Sequence, residues 1–203
     1  MTSTTSSRRS DARANRAGIL SAAADAIASD PRASLDAIAR RAGLTRRAVY
    51  GHFVDRDELV REVLATGAAR FNAIAEEVDD ADSRVALARL ASRLWAEAAH
   101  VQAAAAIALD DAHVAETSAA LAPLRRRIDA IVRRGQESGE LRTDLPAPTL
   151  ARLIEETGRM VVARVDAASA TARSVAVRAV LSIAGLSWTE AAALLAQHPD
   201  LEA

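Results

Sequence analysis

Three observations on the 203 residues predict an all-α protein. Half of the chain is apolar but only 2% is aromatic, so the core must be built from Ala, Leu, Val and Ile, which suit close-packed helices. Apolar residues recur at three- and four-residue spacing, and no long strand-like alternation of β-branched residues interrupts them. Gly and Pro, the strongest helix breakers, number only eight and five. The expected architecture is an N-terminal three-helix domain with a helix-turn-helix, joined to a larger helical domain, about nine to ten helices in all.

Met1 to Ser10 is rich in Ser and Thr and has nothing to bury, so residues 1–10 are expected to form a disordered arm. Arg8 and Arg9 could reach a minor groove from there, or the segment could be a frayed tail. A first helix is predicted over 11–29, with Ile19, Leu20, Ala23, Ala24 and Ile27 inward and Arg13 and Arg16 pointing away from that stripe. Asp30-Pro31 ends it, because the residue before proline is pushed out of the helical region.

Two short helices joined by a tight turn follow over 34–53. Ser34 is an N-cap, and Leu35, Ile38, Ala39 and Ala42 repeat behind it at helical spacing. Gly43 stops the helix by accepting a left-handed backbone, and Thr45 caps the next one. Val49 and Phe53, four apart, can bury against Ile38 and Leu44. Arg46, Arg47, Ala48, Tyr50 and His52 then face outward, as on a helix that enters a DNA major groove.

Asp55 is the N-cap of a long helix through Leu59, Val63, Leu64, Phe71, Ile74 and Val78, linking the N-terminal domain (11–56) to the rest at about 79. A helix of that length can carry a shift in the body to the head as a rigid lever. The remaining domain, 80–203, is Ala-rich, with helices predicted at 82–99, 101–109, 114–137 with a kink or restart at Pro123, 147–167, 170–185 and 188–197. Asp110-Asp111-Ala112-His113 is a polar break, and Gly139 to Asp144 a loop. Arg125, Arg126, Arg127, Arg133 and Arg134 look like a second basic patch, better read as a solvated face or as crossed salt bridges.

The net charge of −1 hides an asymmetry. Residues 1–53 hold nine Arg and four acidic residues, a balance of +5, and residues 54–203 a balance of −6. The positive part coincides with the helix-turn-helix, the footprint of a DNA-binding head on an acidic body. All 26 basic residues are Arg, so every cationic contact is a planar donor fork. There is no Cys, hence no disulfide frame, thiolate metal site or thiol switch. No apolar run reaches the roughly 20 residues of a membrane span, and the N-terminus lacks a hydrophobic signal segment, so a cytoplasmic protein with no membrane partner is expected.

The string Ile38-Ala39-x-x-Ala42-Gly43-Leu44-Thr45-Arg46-x-Ala48-Val49-Tyr50-x-His52-Phe53 closely resembles the DNA-binding domain of the TetR family of bacterial transcriptional regulators. The resemblance is strong over about 13–63 and extends further in layout only. Arg47 and Ala48 stand where members often carry Gly and Thr or Ser, and Gly51 where a larger residue is frequent. Both departures fall on the surface expected to read bases and so bear on the operator sequence. The DNA-binding set is Thr45, Arg46, Arg47, Ala48, Tyr50, Gly51, His52 and Arg56. Arg46 and Arg47 are expected on guanine edges and Ala48 on a thymine methyl. Thr45, Tyr50, His52 and Arg56 are expected on phosphates, with structural packing an alternative for His52. The resemblance also implies a phosphate at the N-terminus of the helix after Asp55, where Arg56 replaces the usual Lys.

The resemblance further implies a ligand-responsive regulator, by default a repressor, that a small molecule releases from a palindromic operator. Candidate cavity walls are Trp95, Gln102, Arg159 and Met160, with His100 or His113 as polar anchors. The two apolar helices at 147–167 and 170–185 carry small residues that would let a second copy approach, and the resemblance implies a homodimer through them. Leu150, Ile154, Gly158, Val161, Val177, Val180 and Leu181 are the candidates, an ordinary intrachain core being the alternative. A metal-binding helical protein is the rival reading, from Asp110, Asp111, His113 and Glu116, although one His among carboxylates is a poor zinc set. No nucleotide-binding glycine loop, nucleophile elbow or HExxH motif occurs, so neither an enzyme nor a cofactor is expected.

Overall fold

A computed structural model describes residues 4–30, 32–99, 114–166 and 168–202. Among them are ten α-helices and no strand: α1 Thr4–Ser29, α2 Leu35–Arg41, α3 Arg46–Tyr50, α4 Arg56–Glu77, α5 Ser83–Ala99, α6 Val114–Ala120, α7 Ala122–Glu137, α8 Ala147–Arg164, α9 Ala172–Ala184 and α10 Trp188–Gln197. A 3-10 turn over Pro199–Leu201 closes the chain. The helix expected at 101–109 and the break at Asp110 to His113 lie outside the described residues. The described residues fall into two compact units, one of 4–67 with Val114 and one of 68–99 and 115–202, so that α4 runs from the first into the second.

In the first unit α1 packs on α2 and α2 on α3. Ile19, Ala23, Ala26 and Ile27 of α1, Leu35, Ile38 and Ala39 of α2, and Val49 and Phe53 are all buried, as are Leu59, Val60 and Val63 of α4. α1 begins seven residues before its expected start, so Thr4 to Ser10, read from sequence as an arm, are helical. Extending a nucleated helix adds one hydrogen bond per residue fixed, and no Gly or Pro stands before Gly18 to stop it.

The second unit is organised around α5, which packs on α7, α8, α9 and the terminal 3-10 turn. One core layer combines Ala75 of α4 and Val78 just after it, Leu87 and Leu90 of α5, Ile128, Ile131 and Val132 of α7, Leu150 and Ile154 of α8, and Val180 of α9. A second joins Val85, Val177 and Leu181 to Leu194, Leu195 and Leu201. Close approach at one corner requires a glycine: a Cβ on Gly135 would stand 2.5 Å from Leu141 Cγ and 2.8 Å from Ser83 Cβ. Glu140 reaches back from the loop and caps α5 by accepting from Ser83 N at 2.9 Å, and this bond holds its carboxyl below the ordinary value.

The helix expected over 114–137 is broken at Leu121, just before Pro123. Four of the five arginines of the second basic patch are engaged within this unit. Arg125 donates twice to Glu155, both bonds 2.9 Å. Arg127 pairs with Asp79 and donates to Val78 O, Arg133 pairs with Asp129, and Arg134 donates to Asp80 O.

Candidate nucleic-acid interface

The helix-turn-helix is set by its caps. Ser34 Oγ accepts from Ala37 N at 3.3 Å, starting α2, and Thr45 Oγ1 accepts from Ala48 N at 3.2 Å, starting α3. Gly43 takes φ 66° between them, and Leu44 N donates back to Ala39 O at 2.9 Å, which closes the turn. With both helix starts fixed, Val49 is directed inward and its neighbours outward. Arg46, Arg47, Tyr50 and Gly51 are exposed, and Ala48 and His52 half-buried. Gly51 is the C-cap of α3, with ordinary φ −74°. A Cβ there would stand 3.3 Å from Arg47 O, so a larger residue fits only tightly.

Asp55 Oδ1 accepts from Glu58 N at 2.7 Å and Glu58 Oε2 from Val54 N at 2.6 Å, fixing the start of α4. Arg56, expected on a phosphate, donates its Nε to Ala33 O at 3.1 Å and lies 3.9 Å from Asp57. Holding the loop before α2 is thus one role that local reading did not assign to it.

Two further residues were missed in the sequence. Arg16 does point away from the apolar stripe of α1, but into a long-range clamp. It donates Nη1 to His52 O at 2.8 Å and Nε to Glu62 at 3.1 Å, and its guanidinium lies 4.4 Å from the Phe53 ring centre. It therefore ties the C-terminal end of the recognition segment to α4. Asp36, in the first turn of α2, forms an ion pair with Arg46. Neither pairing has a local periodic signal, since the partners are 46 and ten residues apart.

Among the described residues, the expected ligand-site residues Trp95, Arg159 and Met160 stand in different surroundings. Trp95 is buried in a cluster with Val161, Ala172 and Ala176. Arg159 is committed to Glu155 and Glu156 at 3.4 and 3.2 Å. Met160 is 60% exposed, because it lies on the opposite face of α8 from the core stripe. His100, Gln102 and His113 lie outside the described residues, as do Asp110 and Asp111 of the metal reading. Glu116 is exposed, and no three metal-ligating side chains converge among the described residues.

Leu150, Ile154, Val161, Val177, Val180 and Leu181 are buried in the chain's own core. The apolar stripes of α8 and α9 close on α5 and on each other. Gly158 alone remains half-buried. The apolar residues left outward on these helices are Leu153, Met160 and Val175. Among the described residues no helix is long and apolar enough to cross a membrane.

Residues 19–63 match the family profile described as bacterial regulatory proteins, tetR family. The whole fold is similar to that of PfmR from Thermus thermophilus, a TetR-family transcriptional regulator, at TM-score 0.71 and 22% identity over 83% of this chain and 98% of that one. It is similar to the transcriptional regulator FadR from Bacillus subtilis, solved with stearoyl-CoA, at TM-score 0.67 and 19% identity over 83% and 97% of the two chains. The ketosteroid transcriptional regulator KstR2 of Mycobacterium tuberculosis matches at TM-score 0.66 and 22% identity, over 84% and 93%. No curated protein matches the chain in sequence.

Proposed function

This chain belongs, through residues 19–63, to the TetR family of bacterial regulatory proteins, and we propose that it is a repressor released from a palindromic operator by a small molecule. The observation that carries the DNA-binding half of this reading is the exposed row Arg46, Arg47 and Tyr50 on a helix whose start is fixed by Thr45. Arg46 and Arg47 supply base-edge contacts, and Thr45, Tyr50 and His52 hold phosphates and fix register. The bond from its Nε to Ala33 O leaves Arg56 a partial phosphate role at most.

One recognition helix reads only a few base pairs, so two copies are needed, their helices about 34–36 Å apart. The homodimer forms through the outward faces of α8 and α9, with Leu153, Met160 and Val175 as the apolar contacts and Gly158 allowing close approach. The effector is taken up in the second unit. Two regulators of similar fold, one solved with stearoyl-CoA and one named for ketosteroids, support a molecule with a large apolar part as the class to screen first.

The test is a selection from random duplex DNA with the full chain, repeated with Arg47→Ala and Tyr50→Ala. Enrichment of a two-fold symmetric site with half-sites about one helical turn apart, lost in both variants, is the expected result. Weak binding without sequence preference at low salt would overturn the reading.

A further inference from the structure

We infer that Asp36 is a positioning residue for Arg46, and that this pair sets how strictly the chain discriminates the base pair Arg46 meets. The inference rests on the proposed reading of Arg46 as a base-edge contact. Asp36 sits in the first turn of α2 and Arg46 is the first residue of α3, so the two capped helix starts hold the pair from separate elements. The contact is made by Arg46 Nε on Asp36 Oδ1. That oxygen is shut off from solvent and takes no hydrogen bond of ordinary geometry, so the guanidinium is its electrostatic compensation. Arg46 nevertheless keeps 70% of its side chain exposed.

An arginine fixed at Nε presents its terminal nitrogens as the donating edge, and that fork matches O6 and N7 of guanine. A side chain already held in one orientation loses less rotamer freedom on docking and accommodates other bases less readily. The Asp36 charge adds a second effect. Beside a groove lined by phosphates, it disfavours every complex in which Arg46 finds no base to bind, so general affinity falls while the ratio of specific to non-specific binding rises. Asp36 therefore acts on DNA through Arg46 and need not touch the duplex.

The experiment compares wild type, Asp36→Asn, Arg46→Ala and the double variant. Each is measured on the selected site, on that site with the base pair assigned to Arg46 exchanged, and on an unrelated duplex across a salt series. Asp36→Asn is expected to bind the unrelated duplex several-fold more tightly, with a salt slope steeper by up to about one, while discrimination at the Arg46 base pair falls about tenfold. In the double variant, Asp36→Asn should add no further loss of discrimination. If Asp36→Asn changes all three duplexes by one common factor, the inference is overturned. If Arg46→Ala keeps full discrimination, the base-edge reading of Arg46 fails first and the inference falls with it, an outcome visible from that variant alone. Asp36→Glu covers the case of a poorly folded Asn variant. It keeps the charge but moves it by one methylene, so discrimination should fall without the gain on unrelated DNA, and unchanged discrimination would overturn the inference.

Discussion

The Asn72 carboxamide stands between Ala120 and Leu124, donating Nδ2 to Ala120 O at 2.9 Å and accepting from Leu124 N at 3.1 Å. In an uninterrupted helix Leu124 N would donate directly to Ala120 O, four residues earlier. Pro123 prevents this, since its ring clashes with the preceding turn and it has no N–H of its own. Asn72 fills the opened rung from α4 and so joins α4 to the break between α6 and α7. Asn72→Leu, similar in size, should leave both backbone groups unsatisfied and cost about 1–3 kcal/mol in urea unfolding. A change below a few tenths would mean that water takes over both bonds.

Gly135→Ala should cost about 1–3 kcal/mol, because the new methyl overlaps Leu141 and Ser83 where the end of α7 meets the start of α5. Gly67→Ala offers the contrast. Nothing lies within 4 Å of a Cβ at that helical position, so it should stabilise by about 0.5–1 kcal/mol. Thermal unfolding of the two variants should therefore move in opposite directions, and equal shifts would contradict the packing described.

Arg16→Met keeps an apolar stem over Phe53 and removes the charge-assisted bonds to Glu62 and His52 O. A loss of about 1–2 kcal/mol is expected for these partly buried bonds. A double-mutant cycle with Glu62→Gln should give a coupling above about 0.5 kcal/mol. Coupling indistinguishable from zero would make the clamp a passive surface contact.

Glu155 links stability to pH. Its side chain is 14% exposed and accepts twice from Arg125, which holds its carboxyl below the ordinary 4.5. The folded state thus binds the proton less readily than the unfolded one. The stabilisation is present above 4.5 and is lost as pH falls through the lower folded value. Because Arg125 is partly open to solvent, about 1 kcal/mol is expected. Glu155→Gln should lower the urea midpoint at pH 7 and flatten its fall towards lower pH; parallel curves for the two proteins would refute the linkage.

For the proposed homodimer, Leu153→Glu combined with Met160→Glu should shift the sedimenting species from dimer to monomer. Both side chains are exposed within the chain, so each change should alter monomer stability by no more than about 0.5 kcal/mol. A dimer of unchanged affinity would move the interface away from this face of α8.

Features written in neighbouring residues were legible. Ser34, Thr45 and Asp55 start helices because a side-chain oxygen meets an amide three positions on, Gly43 ends one by its positive φ, and Pro123 interrupts one by its missing N–H. The exposed row Arg46, Arg47 and Tyr50 followed from those starts, since helical spacing then determines which side chains face out. The start of α1 was misplaced because helix extension past a Ser/Thr-rich run depends on the turns already formed.

Contacts within a turn or two of the chain account for most of the described helices, their inward stripes and the recognition segment, and these are readable from neighbouring residues. What those stripes meet depends on how the helices dock. Leu150 and Leu181 could have faced a second copy or the chain's own α5, and they face inward, because apolar burial has no direction and local spacing cannot choose between two apolar partners. The same holds for Arg16 on Glu62 and Asp36 on Arg46: an ion pair depends on distance in space, and that distance exists only once the helices have docked.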